Sequence, residues 1–207
     1  MFNENVPSSE DYRCDYCFTG SYWDAKREII EYLNPELLDY KFNLYGANWN
    51  KIPKFSKYTK GFVHYEDMPK VYSSCKIVID DANHVTKEWG SVNSRVFDSI
   101  SSGKLVVTNG TKGNNEVFGG KIPEYHSEEE LTDIINYYLI NSDEREEKIK
   151  YLQDIVLGNH TYQHRANTLK EVLEEYYKKP KIIIKTPVPS WNEIHRWGDF
   201  YVAEGLK

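Results

Sequence analysis

Asn93, Ser94 and Arg95 open the part of this sequence best suited to chemistry. They lie in the run Trp89–Gly103, which reads as a polar loop, a helix and a terminating glycine, followed by the apolar Leu105-Val106-Val107-Thr108. A helix start offers unpaired backbone N–H groups and partial positive charge, which suits a phosphate. Asp98, one turn further in, is placed to accept hydrogen bonds from a sugar hydroxyl. The pairing is what a nucleotide-sugar site needs. A cation in a helix's first turn is disfavoured by roughly 0.3–1 kcal/mol. Either a bound diphosphate reverses that cost for Arg95, or its side chain reaches back to a carboxylate such as Asp80, Asp81 or Glu88. Asp98 stands beside Phe97 and near Ile100, so its carboxylate needs partners. Ribose hydroxyls, Arg95 or a backbone group would serve.

Gly20-Ser21-Tyr22 follows an apolar run, where glycine lets backbone approach a phosphate and Ser21 can donate a hydrogen bond. A plain turn explains the same residues. The sequence carries neither a GxGxxG dinucleotide fingerprint nor a Walker-type GKS/GKT. His84 fits a base, a phosphate ligand or an ordinary loop histidine. His160, Tyr162, His164 and Arg165 open a late helix and fit a solvated face. Cys14 and Cys17 have CxxC spacing but no second Cys/His pair, and Cys17 reads as a buried thiol in a strand. Asp80-Asp81 is a bare pair, so no metal site is expected.

These residues are positioned by strands alternating with helices through residues 15–141. Strands are expected at 15–19, 42–45, 76–79 and 105–108, with short extended pieces at 61–64 and 122–125. Helices are expected to begin near Asp24, at Glu66 with Pro69 in its first turn, and at Val92. Ser127, with Glu130 three residues on, marks another helix start. Two more helices follow, at about 143–157 and 161–177. The pattern implies a Rossmann-like parallel sheet with helices on both faces, plus carboxyl-terminal helices. Ligands of such sheets bind at the strands' carboxyl ends, and Gly20–Tyr22, Gly46–Trp49, His64, Asn83–Asn93 and Asn109–Asn115 all fall there.

With 207 residues the chain can hold one domain and an extension. Residues 1–14 are expected to be a tail or linker, 15–178 the domain, and 179–207 an extension or the opening of another module. A net charge of -6 argues against a nucleic-acid binder. No apolar run approaches about 18 residues, so no membrane span is expected. Three cysteines form no even disulfide framework, and the sequence opens without a signal-peptide pattern. Both favour a cytoplasmic setting.

The run Trp89–Gly103 and Leu105–Thr108 resembles the donor-site helix and following strand of group 1 glycosyltransferases of the GT-B type, and is most similar to their spore-maturation-like branch. Phe18-Thr19-Gly20-Ser21-Tyr22, Leu44-Tyr45-Gly46, Gly61-Phe62-Val63, Val71–Val78, Asn115–Gly119 and His160–Ala166 follow in the family's order. The resemblance spans about residues 15–175. It implies one half of a GT-B fold, the carboxyl-terminal half, which binds a nucleotide-diphosphate sugar; because Asp80-Asp81 is a bare pair, transfer without metal or other cofactor is expected. It implies that Asp98 holds the ribose, that Asn93-Ser94-Arg95 faces the diphosphate, and that Phe62-Val63 meets the base. Relatives often carry Glu at the Asp98 position and a second Glu eight residues earlier. Gly90 stands there, which leaves retention or inversion open.

The resemblance also implies an acceptor, glycan or protein, bound by an amino-terminal half outside this chain. Residues 182–199 resemble the start of such a half, which points to a fragment of a multi-module bacterial transferase for surface polysaccharide or protein glycans. The expected substrate-binding set is thus Gly20, Ser21, Tyr22, Gly46, Phe62, Val63, His84, Asn93, Ser94, Arg95 and Asp98. Two other readings stand beside this one: a Rossmann-like module that binds nucleotide or carbohydrate without transfer, and a nucleotide-sugar epimerase on a similar fold.

Overall fold

The structure is a computed structural model and describes residues 1–178. The strand expected at 181–185 and the helical pattern at 197–206 lie outside the described residues. Two compact units are present, Met1–His160 and a second beginning at Thr161.

The first unit is built on a five-stranded parallel sheet. Its strands are β1 (Tyr16–Thr19), β2 (Phe42–Tyr45), β3 (Thr59–Gly61), β4 (Ile77–Asp80) and β5 (Leu105–Thr108), in the order β3-β2-β1-β4-β5. Every residue of β1, β2, β4 and β5 is buried. That is why their sequences are near-continuous apolar runs: both faces of the sheet are covered. Register places Tyr16 beside Phe42 on one side and Ile77 on the other. β1 therefore has β2 and β4 as opposite neighbours, and the chain reverses its direction of growth there.

The helices are α1 (Glu28–Tyr32), α2 (Met68–Ser73), α3 (His84–Trp89), α4 (Ser94–Ser101), α5 (Thr111–Phe118), α6 (Glu128–Ile140) and α7 (Ser142–Asn159). α4 packs on α7 and β5, and α1 on α6. The core is filled by Tyr16, Phe18, Trp49, Phe55, Ile79, Ile100 and Tyr125, all fully buried. The second unit is described by α8 (Tyr162–Lys178), which leaves Leu169, Val172 and Tyr177 exposed.

Several boundaries differ from the sequence reading. α1 begins at Glu28, since Arg27 before it is extended (φ -132°, ψ 126°) and Asp24 has a positive φ of 57° that no helix accommodates. The stretch read as a loop after β4 contains α3, whose Asn83 side chain accepts from the N–H groups of Val85 and Thr86. α4 begins at Ser94, two residues after the expected start. The extended piece at 122–125 forms only a single bridge, Glu124 to Thr108. Pro123 has no N–H with which to extend a ladder. Residues 1–13 lie against the domain: Ser9 N–H donates to Ser74 Oγ at 2.8 Å and Phe2 packs on the core.

Candidate functional site

The carboxyl ends of β1, β2 and β3 and the first turns of α2 and α4 enclose a cleft of about 230 Å³. Its polar lining comes from Gly20, Ser21, Ser94, Arg95 and Asp98, and its apolar lining includes Phe62, Val63 and Met68. Eight of the eleven expected residues meet here: these polar five, Gly46, Phe62 and Val63. Thr19, Tyr45, Tyr65, Tyr72 and Phe2 also line it and were not foreseen. Met68, likewise outside the expected set, comes with Tyr72 from α2, whereas nothing in the sequence signals Phe2.

The backbone that shapes the cleft depends on glycine. Gly46 has φ 136°, and a Cβ there would lie 2.2 Å from the Gly20 carbonyl oxygen. Gly20 N–H donates to the Tyr45 carbonyl, and Gly46 N–H to that of Gly61. These bonds stitch the three strand ends together. Ser21 Oγ is already used, accepting from Ala47 N–H at 3.0 Å.

Arg95 answers the choice left open by the sequence in part. Its Nη1 donates to Asp80 Oδ1 and its Nε to the Thr19 carbonyl, each at 2.7 Å. Its guanidinium also lies over the Phe18 ring, 4.7 Å from the centroid. The side chain thus reaches back to a carboxylate, which offsets the unfavourable helix dipole. Nη2 makes no hydrogen bond to the described residues and lies beside Gly20, where a Cβ would be 3.2 Å away. Nε and Nη1 hold the group in place while this third nitrogen borders the cleft.

Asp98 is different. It is buried, with 7% exposure, yet its carboxylate accepts no hydrogen bond from the described residues. Burial alone pushes its pKa up to about 6. A partly desolvated carboxylate without protein donors is costly, and its oxygens keep their access to solvent through the cleft.

Three expected residues stand apart from the cleft lining. Asn93 donates to Asp80 Oδ1 at 2.7 Å, supporting the Arg95 pair from behind. Tyr22 packs on Trp49, with ring centroids 5.4 Å apart. His84 is the exposed first residue of α3. Asp80 and Asp81, read as a bare pair, are both buried hubs. Asp80 also accepts from Thr108 Oγ1, and Asp81 accepts from Arg27 Nε at 2.6 Å and Asn109 Nδ2 at 3.0 Å. Burial raises the Asp81 pKa against the opposing pull of Arg27. Cys14, Cys17 and Cys75 are buried free thiols. Among the described residues no group of three His, Cys, Asp or Glu side chains is arranged to hold a metal. No described helix is long and apolar enough to cross a membrane.

The five-stranded parallel sheet with its helices matches one half of the GT-B glycosyltransferase architecture. The chain matches the family described as glycosyl transferase-like over residues 21–171, and it belongs to that family. No curated protein matches it. Among solved structures it is similar to phage T4 BGT in complex with UDP and Mn2+, with a TM-score of 0.61 and 15% identity over 86% of this chain and 50% of that one. It is similar to the C-terminal domain of the glycosyl transferase group 1 family protein LpcC from Francisella tularensis, with a TM-score of 0.57 and 11% identity over 78% and 96% of the two chains. It also resembles the pneumococcal O-GlcNAc transferase GtfA in complex with UDP and GlcNAc, with a TM-score of 0.55 and 16% identity over 84% and 38%. At such identities the likeness is one of fold. The chain spans about half the length of the structures it matches first.

Proposed function

We propose that this chain is the donor-binding half of a glycosyltransferase, and that its cleft holds a nucleotide-diphosphate sugar. The observation that carries this reading is Asp98: a largely buried residue whose carboxylate takes no donor from the described residues and faces the cleft, on the helix whose first turn carries Ser94 and Arg95. Ribose hydroxyls supply the donors it lacks. The α4 N-terminus and Arg95 Nη2 supply positive potential for the diphosphate. The transfer step gains from these groups as negative charge builds on the departing nucleoside diphosphate while its bond to the anomeric carbon breaks.

The acceptor, a glycan or a protein, is bound by a second Rossmann-like half. The order of the motifs supports a place in the spore-maturation-like branch and a bacterial role in polysaccharide or protein glycosylation, and three cysteines without a disulfide framework support a cytoplasmic setting. Fold analogy supports the class of reaction, and the site supports the ligand.

Calorimetry with UDP, GDP, dTDP and CMP tests the reading. Binding of at least one nucleoside diphosphate, abolished by Asp98→Asn, is expected. A protein that binds only free glycan, or binds nucleotide equally well as Asp98→Asn, does not have this site.

A further inference from the structure

Phe2 lines the same cleft as Arg95 and Asp98, although it lies 93 residues or more from both in the sequence. Its ring stands edge-on to Tyr65, with centroids 5.6 Å apart, and is tilted against Tyr72 at 5.9 Å. Tyr72 is itself held, its hydroxyl 2.9 Å from Thr19 Oγ1 at the end of β1.

The segment that delivers Phe2 is anchored. Ser9 N–H donates to Ser74 Oγ at 2.8 Å, and Ser73 Oγ donates to the Pro7 carbonyl at 3.1 Å. Glu4 lies against Gly103, where a Cβ would be 3.5 Å from the Glu4 Cβ. Residues 1–9 therefore act as a strap across the domain, and their first aromatic ring reaches the cleft.

The cleft is divided by chemistry. Hydrogen-bonding groups suited to ribose and diphosphate come from β1 and α4. The rest is apolar and ringed, with Phe62 and Tyr65 more than half exposed. Base–aromatic stacking tolerates any base, because every base has a π-face.

We propose that Phe2 forms part of the surface on which the donor's nucleobase stacks, so that the amino-terminal strap contributes binding affinity to the site. The proposal rests on the donor-site reading above. A domain taken as residues 15–178 alone would lack this surface.

The test is calorimetric titration of the full 207-residue chain with UDP and GDP, comparing the wild type with Phe2→Ala, Phe2→Leu and Phe2→Trp. Phe2→Ala and Phe2→Leu are expected to weaken the tighter nucleotide about tenfold, as loss of a stacking ring does, while Phe2→Trp retains it. Thermal melts of each variant check that the fold is kept. Unchanged or tighter binding by Phe2→Ala overturns the proposal, as does wild-type affinity in Phe2→Leu or failure of Phe2→Trp to retain binding. A wild-type chain that binds neither nucleotide overturns the donor-site reading itself, a result distinct from the others.

Discussion

Arg95 Nη1 donates to Asp80 Oδ1 at 2.7 Å, and the two side chains are only 13% and 3% exposed. The same guanidinium therefore braces the sheet's switch point and borders the cleft. Removing one partner of a buried ion pair leaves the other uncompensated, at a cost of about 3–5 kcal/mol. Asn93 and Thr108 still donate to Asp80, so the low end applies. Arg95→Ala is expected to lower unfolding stability by about 3 kcal/mol in urea titrations. The double variant Arg95→Ala/Asp80→Asn should recover part of that loss. Strictly additive effects of the two changes would show that the pair is not coupled.

Gly46 faces the Gly20 carbonyl so closely that no side chain fits. Gly46→Ala must move backbone at the ends of β1 and β2 and also strain a φ of 136°. A loss of roughly 2–4 kcal/mol is expected, together with loss of nucleotide binding. Thermal melting and calorimetry on one sample would check both, and a variant that binds normally refutes the close approach.

Asp98 makes the domain less stable where it is charged. Its folded pKa, about 6, lies above the unfolded value near 3.8. Between those values the folded state holds more protons than the unfolded one, so stability falls as pH rises from about 4 to about 6 and then levels. Asp98→Asn removes that dependence and should raise stability at neutral pH by on the order of 2 kcal/mol. It should also abolish nucleotide binding, a stability gain at the cost of function. Melting curves of both proteins from pH 4 to 8 provide the check, and parallel profiles would exclude the assigned ionisation.

Ser127 caps α6, its Oγ accepting from Glu130 N–H at 3.1 Å. Glu130 reaches back to His126 N–H at 2.7 Å, one residue short of the reciprocal bond that a capping box would make. Ser127→Ala should cost about 1 kcal/mol. Because the cap is remote from the cleft, UDP affinity should not change, and a joint loss of stability and affinity would contradict this separation.

The Rossmann-like class, the four buried strands and the α6 cap were legible in the sequence because each depends on neighbours within a few residues. Continuous apolar runs specify buried strands, and Ser127 with Glu130 specifies a helix start. The cleft's polar members were legible for the same local reason, since Gly20-Ser21 and Ser94-Arg95-Asp98 each sit in one turn or loop. Only the tertiary structure decided which carboxylate Arg95 meets, because Asp80 comes from a different strand. Only it left Asp98 without donors, joined Phe2 to a pocket built from β1, β2 and α4, and turned His84 away to the surface. Such outcomes depend on how distant segments fill one another's space. Local spacing determines an element's periodicity and ends; packing between elements determines which side chain is paired, buried or left facing a ligand.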